Sequence, residues 1–177
     1  MDEIKYMSMS DDDIKFYLGK DAPILKYNEL SKYKTIEKLL PKHKSFFILL
    51  YPVTSDSSGH WVSLTRFKNT IEYYDGYGGI IDDPIINWKS SKFRGNKRYL
   101  SEMLNKTKLN VDYNSFDFQS KRDMMISTCG CYSVFRVLTM HELNADMEKN
   151  NLLLQTLKDS NPEMSYDDIV VQYINKR

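Results

Sequence analysis

The chain has 177 residues, of which 41% are hydrophobic and 13% aromatic, and its formal net charge is +1. This composition excludes a disordered or fibrous protein, and the length is sufficient for one domain with a substantial core. We therefore predict a single domain over residues 1–177. The near-neutral charge gives no reason by itself to expect a nucleic-acid partner.

The cysteine and histidine content also limits the class of protein. The two cysteines, Cys129 and Cys131, lie two residues apart at a predicted helix start, where disulfide geometry is poor. Their reduced state fits a reducing intracellular compartment. Together with the three histidines they lack the spacing of a structural zinc site, so we expect no metal and no cofactor.

Neither a targeting signal nor a membrane anchor is predicted from the sequence. Residues 1–6 are too polar for a signal peptide. No apolar run approaches the length that a membrane-spanning helix requires, so we expect no membrane partner.

The first part of the chain predicts helical structure at the N-terminus and then a loop. Ser10 before three aspartates predicts a capped helix that ends at Gly19. Residues 22–40 predict a loop followed by a short helix over residues 35–40, which Pro41 closes.

The middle of the chain has the composition of β-strands. The apolar run 45–51 predicts a strand that is buried on both faces, and residues 54–59 predict a polar loop. Residues 60–67 and 70–75 predict two further strands joined by a tight turn at Lys68-Asn69.

The second half is predicted to be mainly helical. Residues 97–108 predict a helix with Leu100, Met103 and Leu104 pointing inward, and residues 110–118 have strand composition. A polar loop then precedes a buried helix that begins at Cys129. Two C-terminal helices complete the prediction, over residues 144–157 and 165–174, and Ser165 with Asp168 predicts a capping arrangement at the start of the second. We therefore predict an α+β domain with a small mixed central β-sheet packed by helices.

Cys129 has the predicted surroundings of a reactive thiol. Unpaired backbone N–H groups and the dipole at the start of a helix favour the thiolate form of a cysteine placed there. Gly130 would let a substrate backbone come close, because it has no side chain. The alternative is that Cys129 is a small buried hydrophobic residue, which is the commoner role of a free cysteine.

His60 is the histidine that the strand prediction brings near an acid. With a two-residue turn at Lys68-Asn69, Val62 lies opposite Asp75, and His60 becomes a diagonal neighbour of Asp75 on one face of the sheet. An aspartate bonded to one ring nitrogen would fix the tautomer of the imidazole and favour its protonated form. His60 could then take the proton of Cys129.

Gln119 is a candidate donor for a developing oxyanion. It lies ten residues before Cys129, and its amide could act together with the backbone N–H of Cys129. The alternative is an ordinary surface glutamine.

Four short segments together resemble a known protease group. They are Gly-His-Trp-Val-Ser-Leu at 59–64, Tyr-Tyr-Asp-Gly-Tyr-Gly at 73–78, Phe-Gln-Ser at 118–120 and Thr-Cys-Gly-Cys-Tyr at 128–132. Their order resembles the His–Asp–Gln–Cys motifs of the adenain-like and SUMO-protease-like cysteine peptidases. The greatest similarity is to the maturation proteases of adenoviruses, large DNA viruses and virophages. The resemblance implies a cysteine-proteinase-like fold.

The resemblance also implies roles for individual residues. Cys129 would be the nucleophile and His60 the general base and later the acid, while Asp75 would orient the imidazole and Gln119 would stabilise the oxyanion. Trp61 would lie beside the substrate cleft, although its alternative role is core packing. The sequence departs from the pattern in its long gap between Gln119 and Cys129, which contains residues 121–125.

The implied activity is a cysteine endopeptidase that processes viral capsid or other virion precursors at small-residue, glycine-containing sites. It would act in the virion and in the viral factory of the host cytoplasm. One alternative is a protease that removes a ubiquitin-like modifier of the SUMO type. Another is a catalytically inactive interaction module of the same fold.

A basic stretch over residues 89–108 suggests a second partner. It contains seven basic residues and the single acid Glu102. Clustered on one side, these charges could bind DNA phosphates without sequence specificity, and adenain is similar in being helped by DNA. The alternative is a solvated helix and loop.

Overall fold

A five-stranded mixed β-sheet forms the centre of the protein. The computed structural model describes residues 3–6, 8–55, 58–88, 97–120 and 127–176. In the sheet the strands lie in chain order, with antiparallel pairing of β2, β3 and β4 and parallel pairing of each outer strand with its neighbour. The strands are β1 (Ile24–Lys26), β2 (Phe46–Ser55), β3 (Ser58–Phe67), β4 (Thr70–Tyr74) and β5 (Asn110–Tyr113).

Seven α-helices surround the sheet in the described part of the chain. They are α1 (Glu3–Tyr6), α2 (Asp11–Leu18), α3 (Asp83–Ile86), α4 (Tyr99–Leu104), α5 (Cys129–Leu143), α6 (Met147–Ser160) and α7 (Tyr166–Asn175). Two short 3-10 helices, Tyr27–Lys32 and Ile36–Lys38, follow β1. None of the helices within these residues is both long and apolar enough to cross a bilayer. The predicted α+β architecture, with a helix-packed mixed sheet, is confirmed.

Alternating side chains of the central strands fill two separate cores. Ile48 and Leu50 of β2 and Trp61 of β3 pack with the apolar residues of α5 and α7 on one face. Phe47 and Leu49 point to the other face, where they pack with the 3-10 helices, α3 and α4. Because each face of the sheet is covered, β2 reads as a continuous apolar run, as predicted.

The β3–β4 hairpin has the register that the two-residue turn predicts. Ser63 pairs with Tyr74 and Thr65 pairs with Glu72, and the turn follows at Lys68-Asn69. Lys68 adopts a φ of 54°, in the left-handed region that tight hairpin turns need. Extended one residue beyond Ser63 and Tyr74, this register sets Val62 opposite Asp75.

Several predicted boundaries are wrong, each for a local reason. The loop expected at 54–59 is shorter, because β2 and β3 still pair at Ser55 and Ser58. The expected loop after residue 22 contains β1, and the strand expected over 110–118 ends at Tyr113.

The C-terminal helices begin where their caps place them. Asn144 takes a left-handed conformation and ends α5, so α6 begins at Met147 rather than at residue 144. Ser165 caps α7 in a capping box with Asp168, as the sequence predicts.

In α4 the three predicted inward residues are buried, although the helix is shorter than expected.

Candidate active site

Cys129 is the first residue of α5, as predicted. Its preceding residue, Thr128, occupies the N-cap position but makes no side-chain bond to the helix backbone. The Cys129 side chain is nearly buried, and its Sγ accepts a hydrogen bond from the Trp61 backbone N–H at 3.5 Å. The sulfur of α5 therefore lies directly against β3, at the residue that follows His60.

His60 and Asp75 form a buried pair. Their relative exposures are 3% and 1%, and His60 Nε2 lies 2.9 Å from Asp75 Oδ1. The confirmed hairpin register brings them together, because it makes them diagonal neighbours on one face. With Nε2 engaged by the carboxylate, Nδ1 is the ring nitrogen left for the sulfur of Cys129.

The surroundings of His60 favour its protonated form. Burial opposes a charge on the imidazole, but the negative charge of Asp75 and its hydrogen bond act in the other direction. A hydrogen bond and charge interaction with Cys129 add to the effect, and together they raise the pKa of His60 to about 10. The imidazole is thus arranged to hold a proton beside a sulfur.

The loop after β4 holds Asp75 firmly. Its Oδ1 also accepts the Tyr77 backbone N–H at 2.9 Å, and its carbonyl accepts the Asn114 side-chain amide at 2.7 Å. Gly78 donates its N–H to the same carbonyl at 3.0 Å and has a φ of 67°, which favours glycine. The second carboxylate oxygen of Asp75 has no hydrogen-bond partner among the described residues.

Gln119 lies buried beside this loop with its amide unused. Its exposure is 2%, and its backbone N–H donates to the Gly76 carbonyl at 2.9 Å. Neither side-chain amide atom finds a partner within the described ranges. A buried amide without partners is costly, so this group is a candidate for binding something that the structure does not contain.

Asp167 joins the segment of Gln119 to that of Cys129. One carboxylate oxygen accepts the Thr128 hydroxyl, and the other accepts the Ser120 backbone N–H at 3.1 Å. The residues next to Gln119 and Cys129 are therefore held on a single carboxylate. Burial raises the pKa of Asp167, against the opposing effect of these two hydrogen bonds.

Two aromatic rings enclose the His60 imidazole: Tyr77, which the two-residue turn predicts opposite His60, and Trp88, which the sequence did not predict. Tyr77 stacks on it with a centroid distance of 5.1 Å and an interplanar angle of 22°, and the Trp88 ring lies 4.9 Å away. The Trp88 indole N–H donates to Asp83 at 2.8 Å. Trp88 lies beyond the hairpin in the chain, so only the path of the loop after β4 reveals its contact with His60.

The N-terminal segment covers the two residues predicted to bind substrate. Trp61 is buried, and its indole N–H donates to the Met9 carbonyl at 2.9 Å. A Cβ on Gly130 would lie 2.8 Å from the Met9 Cβ, so Met9 packs on this glycine. In this structure Trp61 thus has a packing role, and substrate contact by Trp61 and Gly130 stays a prediction.

The other cysteine and histidines lie apart from this cluster. Cys131 is fully buried in the core, where burial raises the pKa of its thiol to about 12. His43 accepts the Lys68 backbone N–H, and His141 packs its ring against Phe46. Within the described residues no group of three or more histidine, cysteine and acidic side chains could hold a metal ion.

Two sequence features lie wholly or partly outside the described residues. The inserted residues 121–125 are outside them, and so are residues 89–96 of the basic stretch. In the described remainder, Lys97 and Glu102 form an exposed ion pair at 3.3 Å. DNA binding by the stretch 89–108 stays a prediction.

The fold and the site together define a mixed α+β protein in which a cysteine at a helix start meets a buried histidine–aspartate pair. No protein-family model matches the chain. The chain is 34% identical over 151 residues to a Sputnik virophage protein named "Uncharacterized protein V9". The aligned region covers 80% of this chain and 83% of that protein. The chain therefore belongs to the V9 family, and this relationship points to a virophage origin.

Proposed function

We propose that this protein is a cysteine endopeptidase that processes virion precursor proteins. The observation that carries the proposal is the buried Asp75–His60 pair, bonded at 2.9 Å, with the sulfur of Cys129 held against the backbone of the residue that follows His60. A nucleophile, a base and a group that orients the base are the parts that nucleophilic acyl transfer requires. The resemblance to adenain-like peptidases, which have a cysteine-proteinase-like fold, supports the same assignment.

The first half of the reaction forms an acyl-enzyme. His60 takes the Cys129 thiol proton, and the thiolate attacks the carbonyl carbon of the scissile peptide bond. The oxygen of that carbonyl becomes an oxyanion, which the Gln119 amide and the Cys129 backbone N–H stabilise. His60 then gives its proton to the departing amine, and the C–N bond breaks to leave a thioester.

The second half releases the remaining product. A water molecule gives a proton to His60 and attacks the thioester carbonyl, again through an oxyanion in the same position. Collapse of this intermediate breaks the C–S bond and returns the proton to the sulfur. Asp75 keeps the imidazole in the required tautomer throughout, because it bonds the ring nitrogen that faces away from the sulfur.

The proposed substrates are capsid or other virion precursors, cut at glycine-containing sites. The virophage relationship supports a viral substrate, and the resemblance to maturation proteases supports the small-residue preference. The proposed place of action is the viral factory and the virion.

The two cysteines of α5 offer a matched experiment. Wild type, Cys129→Ala and Cys131→Ala are each co-expressed with the virion proteins of the same virus, and precursor sizes are compared on gels. We expect cleavage in the wild type and in Cys131→Ala, because Cys131 is a core residue with a thiol of raised pKa. We expect none in Cys129→Ala.

Other outcomes would redirect or remove the proposal. Cleavage that persists in Cys129→Ala would exclude this residue as the nucleophile. If a ubiquitin-like vinyl-sulfone probe labels Cys129 while all precursors stay intact, the deconjugating alternative is favoured. Absence of both cleavage and labelling would favour the inactive interaction module.

A further inference from the structure

Asp167 is a buried acid that the mechanism above does not use. It is the second residue of α7, and its exposure is 1%. Its neighbour Asp168 completes the capping box and forms a half-exposed ion pair with Lys5 at 2.8 Å. Asp167 instead turns inward, so a buried carboxylate lies between Ser120 and Thr128, the residues next to the proposed oxyanion donor and the nucleophile.

The bond from Thr128 has a consequence for helix α5. A threonine at the N-cap position usually accepts a hydrogen bond from a backbone N–H in the first turn. Here the Thr128 hydroxyl donates to Asp167, and no side-chain cap is made. Thr128 thus leaves the first-turn N–H groups around Cys129 without a capping bond from its side chain, in the position where an oxyanion would bind.

The bond from Ser120 fixes the other side of the same position. The Gln119 backbone is held at its own N–H by Gly76 and at the next N–H by Asp167. Its buried amide, which has no partner in the described part of the chain, is therefore carried on a backbone fixed at two consecutive residues. One carboxylate therefore holds the residue next to each of the two proposed oxyanion donors.

We propose that Asp167 is a positioning residue that assembles the oxyanion site by holding Ser120 and Thr128 together. The proposal rests on the proposed peptidase function. Loss of the carboxylate would let the two donors separate, and an error of about 1 Å in such a site can cost about 100-fold in rate. Substrate affinity should change little, because Asp167 is buried and its two carboxylate oxygens are engaged by Ser120 and Thr128.

The test compares three variants of the full chain with a cleaved precursor peptide. We expect Asp167→Ala to lower kcat about 100-fold with KM nearly unchanged. Asp167→Asn should recover most of this loss, because its Oδ1 can accept the Ser120 N–H and its amide can donate to the Thr128 oxygen. Asp168→Asn is the matched control on the same helix turn, and it should keep wild-type kcat.

A double-variant cycle separates positioning from general destabilisation. Gln119→Ala alone should lower kcat by about 100- to 1,000-fold, as the loss of one oxyanion donor does. Adding Asp167→Ala should then cost much less than it does in the wild type, because the donor that it positions is already absent. Fully multiplicative losses, or wild-type kcat in Asp167→Ala, would overturn the proposal.

A second measurement needs neither a substrate nor peptidase activity. In a Cys131→Ala background, the rate of iodoacetamide reaction at Cys129 should fall several-fold in Thr128→Val and in Asp167→Ala, and not in Asp168→Asn. If the wild type cleaves no peptide but these rates still fall, the peptidase function fails while the positioning role stands. Unchanged rates in Thr128→Val, which keeps the Asp167 carboxylate, would contradict the positioning role.

Discussion

Glu72 and Asp75 are two buried carboxylates three residues apart. Their surroundings differ, and the difference indicates a structural role for Glu72 and a chemical role for Asp75. Glu72 is fully bonded: it accepts the Thr65 hydroxyl at 3.0 Å, the Met147 N–H at 2.8 Å and the Arg136 guanidinium. Asp75 keeps one oxygen without a partner in the described residues. Its charged neighbour is a histidine rather than an arginine.

The difference teaches how a buried charge can be assigned a role. Arginine stays protonated at any ordinary pH, so the Glu72–Arg136 pair can only hold β4, α5 and the start of α6 together. Histidine changes its protonation readily, so the Asp75–His60 pair can exchange a proton with a neighbouring sulfur. The side-chain amide of Gln119 resembles Asp75 in this respect, because neither of its polar atoms has a partner among the described residues.

The largest expected effect comes from replacing the carboxylate of the titratable pair. Asp75→Asn should lower kcat by about 100- to 10,000-fold, because the amide would donate to His60 Nε2 and favour the wrong tautomer. The free energy of unfolding at neutral pH should fall as well, because the variant loses the stabilisation that the Asp75–His60 pair supplies there, so kcat is compared for the molecules that remain folded. Peptide cleavage and urea denaturation on the same preparation measure both quantities.

Glu72→Gln is the matched control for this prediction. It should destabilise the fold, because it weakens the bond to Arg136, but molecules that remain folded should keep wild-type kcat. Equal losses of kcat in the two variants would show that the two carboxylates do not differ in role.

The next effect concerns stability alone. Arg136→Ala leaves Glu72 as an uncompensated buried charge, so we expect a loss of about 3–5 kcal/mol in the free energy of unfolding. Lys32→Ala is the control, because its ion pair with Glu29 is exposed and should contribute about 1 kcal/mol or less. Similar midpoints of urea denaturation for the two variants would contradict the structural role of Arg136.

The parts of the site that could be predicted are those that a local pattern encodes. The two-residue turn at Lys68-Asn69 fixes the register of the β3–β4 hairpin, and this register brings His60 and Asp75 to the same face of the sheet. The run of apolar residues after Cys129 likewise fixes a helix start. Both predictions depend on chain segments of fewer than twenty residues.

The remaining parts depend on long-range packing that no local pattern encodes. The capping box at α7 is visible in the sequence and engages Asp168, but only the packing of α7 against Thr128 shows that the neighbouring Asp167 bonds to that residue. Met9 covers Gly130 from more than a hundred residues away. Boundaries failed similarly where strand pairing outweighed composition, as at the predicted 54–59 loop, which is shortened because β2 and β3 pair at Ser55 and Ser58.

The smallest expected effect is a pH dependence that only one of the two pairs should show. The pKa of His60 in the folded protein is about 10, above its ordinary value of 6.5. The pair therefore stabilises the fold fully below about pH 6.5, and this stabilisation is lost as the pH rises through about 10. Over that interval the free energy of unfolding should fall by roughly 1 kcal/mol per pH unit relative to Asp75→Asn. Urea denaturation of wild type and Asp75→Asn from pH 7 to 10 measures the difference in their free energies of unfolding. The contributions of the titratable groups that both proteins share cancel in this difference. The Glu72–Arg136 pair should add no slope, because the guanidinium keeps its proton, and parallel curves for wild type and Asp75→Asn would contradict a protonated His60.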